Sequence, residues 1–217
     1  MGLQAEARIA AKSANVRAVA GGGRATSLAV LVERAIVEGG RAIASVGIAG
    51  ALHEELKSGV CLIGREVVHS GELYNADPAW AEQLVGALGR AVPCRIAGVD
   101  HALSTPADKR AHNVTTGAAA ADMESHIVAD LAARHGLPFA VIRIVADPVS
   151  RILPPAALVG MRPDGTADIG ACLRSLARNP AQVPDLVGVA LDAGRAMRQL
   201  LRCVQFLGPG LGFFDGR

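Results

Sequence analysis

Residues 139–146, FAVIRIVA, are apolar at every position except Arg143, and half are β-branched. A run of that kind reads as a buried strand, and the Asp147-Pro148 pair after it ends the strand. Helical and extended segments alternate on the N-terminal side of this run, which predicts an α/β fold. Residues 3–12 read as a helix, and 15–20 as a short extended run closed by Gly21-Gly22-Gly23. Leu28, Leu31, Val32, Ala35 and Ile36 follow helical spacing over 24–38, with Gly39-Gly40 as the stop. Residues 42–46 read as a strand entering a glycine turn at 47–50, and 60–69 as a longer strand. Asp77-Pro78 starts a helix that carries Trp80, Leu84 and Leu88 on one face. A strand over 94–99 leads to a polar loop over 100–113, and a helix over 123–135 stops at Gly136. The remainder reads as helical, chiefly 184–203. One domain over 1–203 and an apolar, Gly- and Phe-rich tail over 204–217 are expected.

In open α/β sheets, ligands bind at the edge where strands run out into turns. The strand ends at Gly47, Asp100 and Asp147 are therefore candidates for one cleft. Half the chain is apolar and 19% is charged, enough to bury a core and too apolar for disorder. The net charge is +2, and only Lys12, Lys57 and Lys109 among the 22 basic residues are lysines. The arginines are scattered, so no nucleic-acid stripe is expected. Four separated cysteines and histidines without ligand spacing predict no metal, and reduced thiols fit a cytoplasmic protein. The longest uncharged apolar stretch, 42–52, is too short to span a bilayer.

Three ordered segments carry a family resemblance: SVGIAGAL (45–52), ADMESHIVA (121–129) and PFAVIRIVADP (138–148). With GLQAEAR (2–8) and AGGGR (20–24), they resemble the purine nucleoside phosphorylase and methylthioadenosine/S-adenosylhomocysteine nucleosidase superfamily. Over roughly residues 2–203 the chain is most similar to hopanoid-associated phosphorylases, thought to remove adenine from adenosylhopane. The resemblance implies a three-layer α/β/α fold with a central mixed sheet, no redox cofactor, a homo-oligomer, and phosphate as co-substrate. It places Glu124 on the ribose hydroxyls with Met123 packed against the sugar, and makes Asp147 the acid that protonates purine N7. Arg143 would support the acidic cluster, and Asp100 would lie near the base. Glu6 matches a residue that helps activate water in the nucleosidase branch.

The chemistry explains these residue types. Breaking the ribose–purine bond leaves positive charge on the sugar and negative charge on the base, so a carboxylate clamp and a buried carboxylic acid both serve it. Read singly, Glu124 could be an acid at a helix N-terminus, Asp147 a turn residue, Glu6 a surface charge and Arg143 a buried ion-pair partner.

The sequence also departs from the family. Phosphorylases hold phosphate with an arginine and a serine, but here Glu6 stands in the region of the arginine and Ile48 in place of the serine. Gly22, Gly23 and Arg24 are the candidate phosphate donors, or a plain turn before a helix. Ala102 falls where nucleosidases place an aromatic residue. Relatives begin with a strand that runs into the glycine matching Gly2, so an upstream start or open sheet edges are expected. The tail holds Phe206, Phe213 and Phe214, three of the four phenylalanines. It is expected either to fray or pack on a partner, or to touch a membrane holding a lipid-linked nucleoside.

Overall fold

The computed structural model describes residues 1–159, 165–166 and 168–213. In chain order the elements are α1 (Gln4–Ala10), α2 (Ala25–Val37), β1 (Ile43–Ala51), β2 (Cys61–His69), β3 (Glu72–Asn75), α3 (Pro78–Leu88), β4 (Val92–Gly98) and α4 (Pro106–Thr116). They continue with β5 (Ala120–Asp122), α5 (Ser125–His135), β6 (Phe139–Asp147), α6 (Pro155–Leu158), α7 (Ile169–Arg178) and α8 (Val183–Leu207).

The predicted strand over 139–146 is β6, and its alternation builds the layers. Ala140, Ile142, Ile144 and Ala146 pack with α1, α3 and α8. Phe139, Val141 and Val145 pack with α2 and α5 on the opposite face. Helices thus cover a mixed sheet on both sides, as expected for a three-layer fold. β6 runs parallel to β1, and β1 is antiparallel to β5. β5 and β2 each run parallel to β4. β2 also pairs antiparallel with β6, so the five strands close on themselves and β3 hangs from β2 as a hairpin.

That closure answers the expectation of an open edge only in part, because β1 pairs with β6 along its length but with β5 only at Gly50 and Ala51. β1 is flanked by β5 and β6, and residues 1 and 2 lie along 21 and 22, where Gly21 N–H donates to Met1 O (3.0 Å) and Gly22 N–H to Gly2 O (3.1 Å). Residues 15–20 form no strand. The glycine stretch 47–50 is strand rather than turn, because its glycines provide close approach. A Cβ on Gly47 would stand 2.5 Å from Glu6 Oε1, and one on Gly50 would stand 2.9 Å from Asp147 Oδ2. The polar loop over 100–113 contains the start of α4. The Thr105 hydroxyl caps this helix by accepting from Asp108 N–H (3.1 Å), and Pro106 opens its first turn.

The domain boundary expected at 203 falls inside α8, which continues to Leu207. The described part of the tail packs on the body. Leu211 is buried, the Trp80 indole donates to Leu211 O (3.1 Å), and the Trp80 and Phe213 rings lie 4.9 Å apart. Phe206 is exposed, and Phe214 lies outside the described residues. No helix among the described residues is long and apolar enough to cross a membrane.

Candidate active site

Register brings the acidic residues together. Gly47 pairs with Arg143 and Gly50 with Asp147 across β1 and β6, while Gly50 also faces Ala121 of β5, the neighbour of Asp122. Arg143 is fully buried. Its Nε donates to Asp122 Oδ2 (2.8 Å), its Nη2 donates to Ser45 Oγ (2.7 Å), and Nη2 lies 3.8 Å from Glu124 Oε2. Asp122 Oδ1 accepts from the backbone N–H groups of Glu124 (2.8 Å) and Ser125 (2.6 Å). Asp122 therefore caps α5 and fixes the guanidinium. Glu124 stands at the N-cap position, yet its side chain makes no cap bond, and its carboxylate lies between Gly2 and the Arg143 guanidinium.

Glu6 is buried beside this group. Its Oε1 accepts from Ile48 N–H and its Oε2 from Leu3 N–H, both at 2.8 Å. Lys109, also buried, donates from Nζ to Asp147 Oδ2 (2.6 Å), Arg151 O (2.9 Å) and Pro148 O (3.1 Å). Glu6, Asp122, Met123, Glu124, Asp147 and Lys109 share one cavity of about 230 Å³. Leu3, Ile48, Leu52, Ala102, Leu103 and Leu153 add apolar wall.

The carboxylates are tuned differently. Burial pushes Glu124 up, and the neighbouring Asp122 and Glu6 charges add to this against Arg143, so it titrates at about 7. Burial also opposes ionisation of Asp122, but the Arg143 guanidinium and the α5 amides outweigh it and hold its pKa below the usual value. Asp147 is raised by burial despite the opposing Lys109 ammonium. The ionised form of Glu124 should therefore grow as pH rises through about 7. Carboxyl ¹³C shifts of labelled protein, assigned by Glu124→Gln, should show that midpoint; an ordinary glutamate midpoint would contradict it.

Other expected site residues lie outside the cavity lining. Gly47 sits in β1 under Glu6 and Arg143, and makes room for both. Asp100 is exposed, 3.7 Å from His126 Nε2. Gly22, Gly23 and Arg24 do not line the cavity. The amides of Gly21 and Gly22 are spent on residues 1 and 2, and that of Arg24 on Gly21 O (3.2 Å). Asp122 and Lys109 are the members that sequence reasoning missed. Asp122 begins the DMES segment itself, and Lys109 is one of three lysines in an arginine-rich chain, three residues past the Pro106 start signal.

A third grouping also escaped the sequence. His69, Asp100 and His126 bring ligand-type atoms within 4.8 Å of one another, although their numbers show no metal spacing. The two imidazoles are stacked, with centroids 4.1 Å apart and planes 18° apart. Lone pairs in nearly parallel rings do not converge on one ion, so this set is a poor cation cage.

Residues 12–183 match the family model described as the phosphorylase superfamily. Among curated proteins, none matches. Futalosine hydrolase of Helicobacter pylori is similar in structure, with TM-score 0.62 and 13% identity over 84% of this chain and 74% of that one. A putative methylthioadenosine nucleosidase from Weissella paramesenteroides gives TM-score 0.56 and 18% identity over 83% and 75%. The S-adenosylhomocysteine nucleosidase from Streptococcus pyogenes, solved in complex with 5-methylthiotubericidin, gives TM-score 0.56 and 19% identity over 84% and 72%.

Proposed function

Because this chain belongs to the phosphorylase superfamily, we propose that the nucleoside N-glycosidic bond it cleaves is that of an adenosyl compound, and that water is the nucleophile. The observation that carries this reading is the charge of the cavity. Its wall bears Glu6, Asp122, Glu124 and Asp147, and its lysine already spends three donors on protein acceptors. Asp122 is matched by Arg143 and Asp147 by Lys109, so a phosphate dianion entering there would face the carboxylate of Glu6 and an apolar Ile48. A neutral water meets no such repulsion and can give a proton to Glu6.

The residues divide the work. Glu124 accepts from the 2′- and 3′-hydroxyls and favours positive charge on the sugar, with Met123 against the ribose. Glu6 takes a proton from water as the water oxygen bonds to C1′. The C1′–N9 electron pair passes into the purine, and N7 takes the proton of the Asp147 carboxylic acid. Adenine and a free ribosyl product result.

A second reading is phosphorolysis of adenosylhopane, giving adenine and a phosphoribosyl hopanoid. The apolar wall supports an apolar 5′ group, since Leu153 lines the cavity and the adjacent Ile152 is exposed. Incubating the protein with adenosylhopane and with methylthioadenosine, with and without phosphate, separates the readings. Hydrolysis predicts adenine and free ribosyl product at a rate that phosphate does not raise. Strict phosphate dependence with a sugar phosphate as product would establish phosphorolysis instead, and no adenine in any arm would remove both.

A further inference from the structure

We propose that Lys109 is a positioning residue for the proton donor: its ammonium fixes Asp147 and stabilises the carboxylate left when the proton moves to the base. The inference rests on the reading of Asp147 as the acid. It adds a cation from α4, an element that contributes no other charged group to the cavity lining.

Three features single out this lysine. It is almost fully buried, and its three donors are matched to three acceptors. Two of those acceptors are carbonyls of the turn directly after Asp147, so Nζ sits at the centre of the segment that carries the acid. That turn is held from its other side as well, because Arg151 Nη2 donates to Asp192 Oδ2 on α8 at 2.6 Å. Lys109 also engages only Oδ2 of Asp147, leaving Oδ1 to carry the proton toward the base.

The charge arrangement favours one direction of transfer. Burial raises the pKa of Asp147 and so favours its protonated form, against the pull of Lys109. As that proton leaves for N7, negative charge grows on a carboxylate 2.6 Å from an ammonium. Their attraction therefore strengthens along the reaction coordinate, which is the condition for lowering a barrier. The balance is simple: Asp147 loses one proton, N7 gains it, the base takes the C1′–N9 electron pair, and Lys109 keeps all its protons. Without the ammonium, Asp147 grips its proton more tightly and is a weaker acid.

A leaving group that needs no proton isolates this role. A 7-methylated purine ribonucleoside is already cationic at the imidazole ring and departs without N7 protonation. Lys109→Gln retains amide donors for the two carbonyls but removes the charge. It should slow adenine release by about tenfold to a hundredfold, within the range of general-acid effects, and cleave the 7-methylated nucleoside within about threefold of wild type. Asp147→Asn should show the same selectivity, and Lys109→Arg should recover much of the adenine rate.

The outcomes separate the two ideas. If wild type cleaves neither nucleoside, or Asp147→Asn shows no dependence on leaving group, the reading of the acid fails. If that reading holds but Lys109→Gln keeps both rates, the inference about Lys109 is overturned. Equal loss of both rates, in a folded or an unfolded variant, assigns Lys109 to the fold and overturns it too.

Discussion

Asp147→Asn is expected to lower the rate of adenine release by about 10²–10⁴-fold, the usual worth of a general acid. The variant preserves size and can still hydrogen-bond, but an amide has no proton to give a departing purine. The loss should fall mainly on kcat, since the proton moves only as the bond breaks. Stability should also fall, because the buried Lys109 ammonium loses its carboxylate, though by less than where no other acceptor remains. Asp147 lies at the end of β6, keeps some solvent contact, and its loss leaves Lys109 two carbonyl acceptors. Steady-state rates with methylthioadenosine, alongside a melting curve, test both halves. A near-wild-type rate would remove Asp147 from the chemistry and leave it a turn residue.

Arg143→Met is expected to produce the largest loss of stability, about 3–5 kcal/mol, because it strands a buried partner charge. Asp122 is buried and, among the described residues, has no other cation bonded to it, so only the two α5 amides would offset its desolvation. For a chain of this size that corresponds to a fall in Tm of roughly 6–20 °C. The pH response should also weaken. In the wild type the Asp122 pKa is depressed, so its contribution is present above about pH 4 and fades as pH falls. In the variant the guanidinium is gone and only the two α5 amides oppose burial, so the Asp122 pKa should rise and less stability should be lost as pH falls. Pairing Arg143→Met with Asp122→Asn removes both charges, and should cost less than the two single losses combined. Thermal melts across pH 4–8 measure all three variants.

Local chemistry made part of this structure legible. FAVIRIVA reads as a covered strand, and Asp77-Pro78 and Gly136 mark α3 and α5 where the backbone needs a cap and a left-handed stop, with φ of 62° at Gly136. What escaped depends on partners distant in sequence. The glycines at 47–50 look like a turn until Glu6 and Asp147 are seen to need the space, and no local rule links residue 6 to residue 47. β5 is three residues long and gains its ladder only from β1 and β4. Lys109 was hidden for a similar reason. α4 is mostly polar, so its hydropathy resembles a loop, although Thr105-Pro106 signals a start. Within the site, Glu6, Met123, Glu124, Arg143 and Asp147 are brought together, whereas Asp100 and the Gly22–Arg24 turn are not. The latter two rested on loop positions, where sequence says least about direction.

The ring formed by β2, β4, β5, β1 and β6 bears on how the protein opens. A strand at a sheet margin can peel away after losing one ladder, but each ring member has a paired neighbour on two sides, the β1–β5 and β4–β5 seams being short. Its amides should therefore exchange with solvent deuterium as one cooperative unit, near the free energy of global unfolding, while β3 exchanges early. Asp122 and Asp147 stand on that slow unit, so breathing of the surface helices should move Glu6 relative to them and leave their own spacing undisturbed.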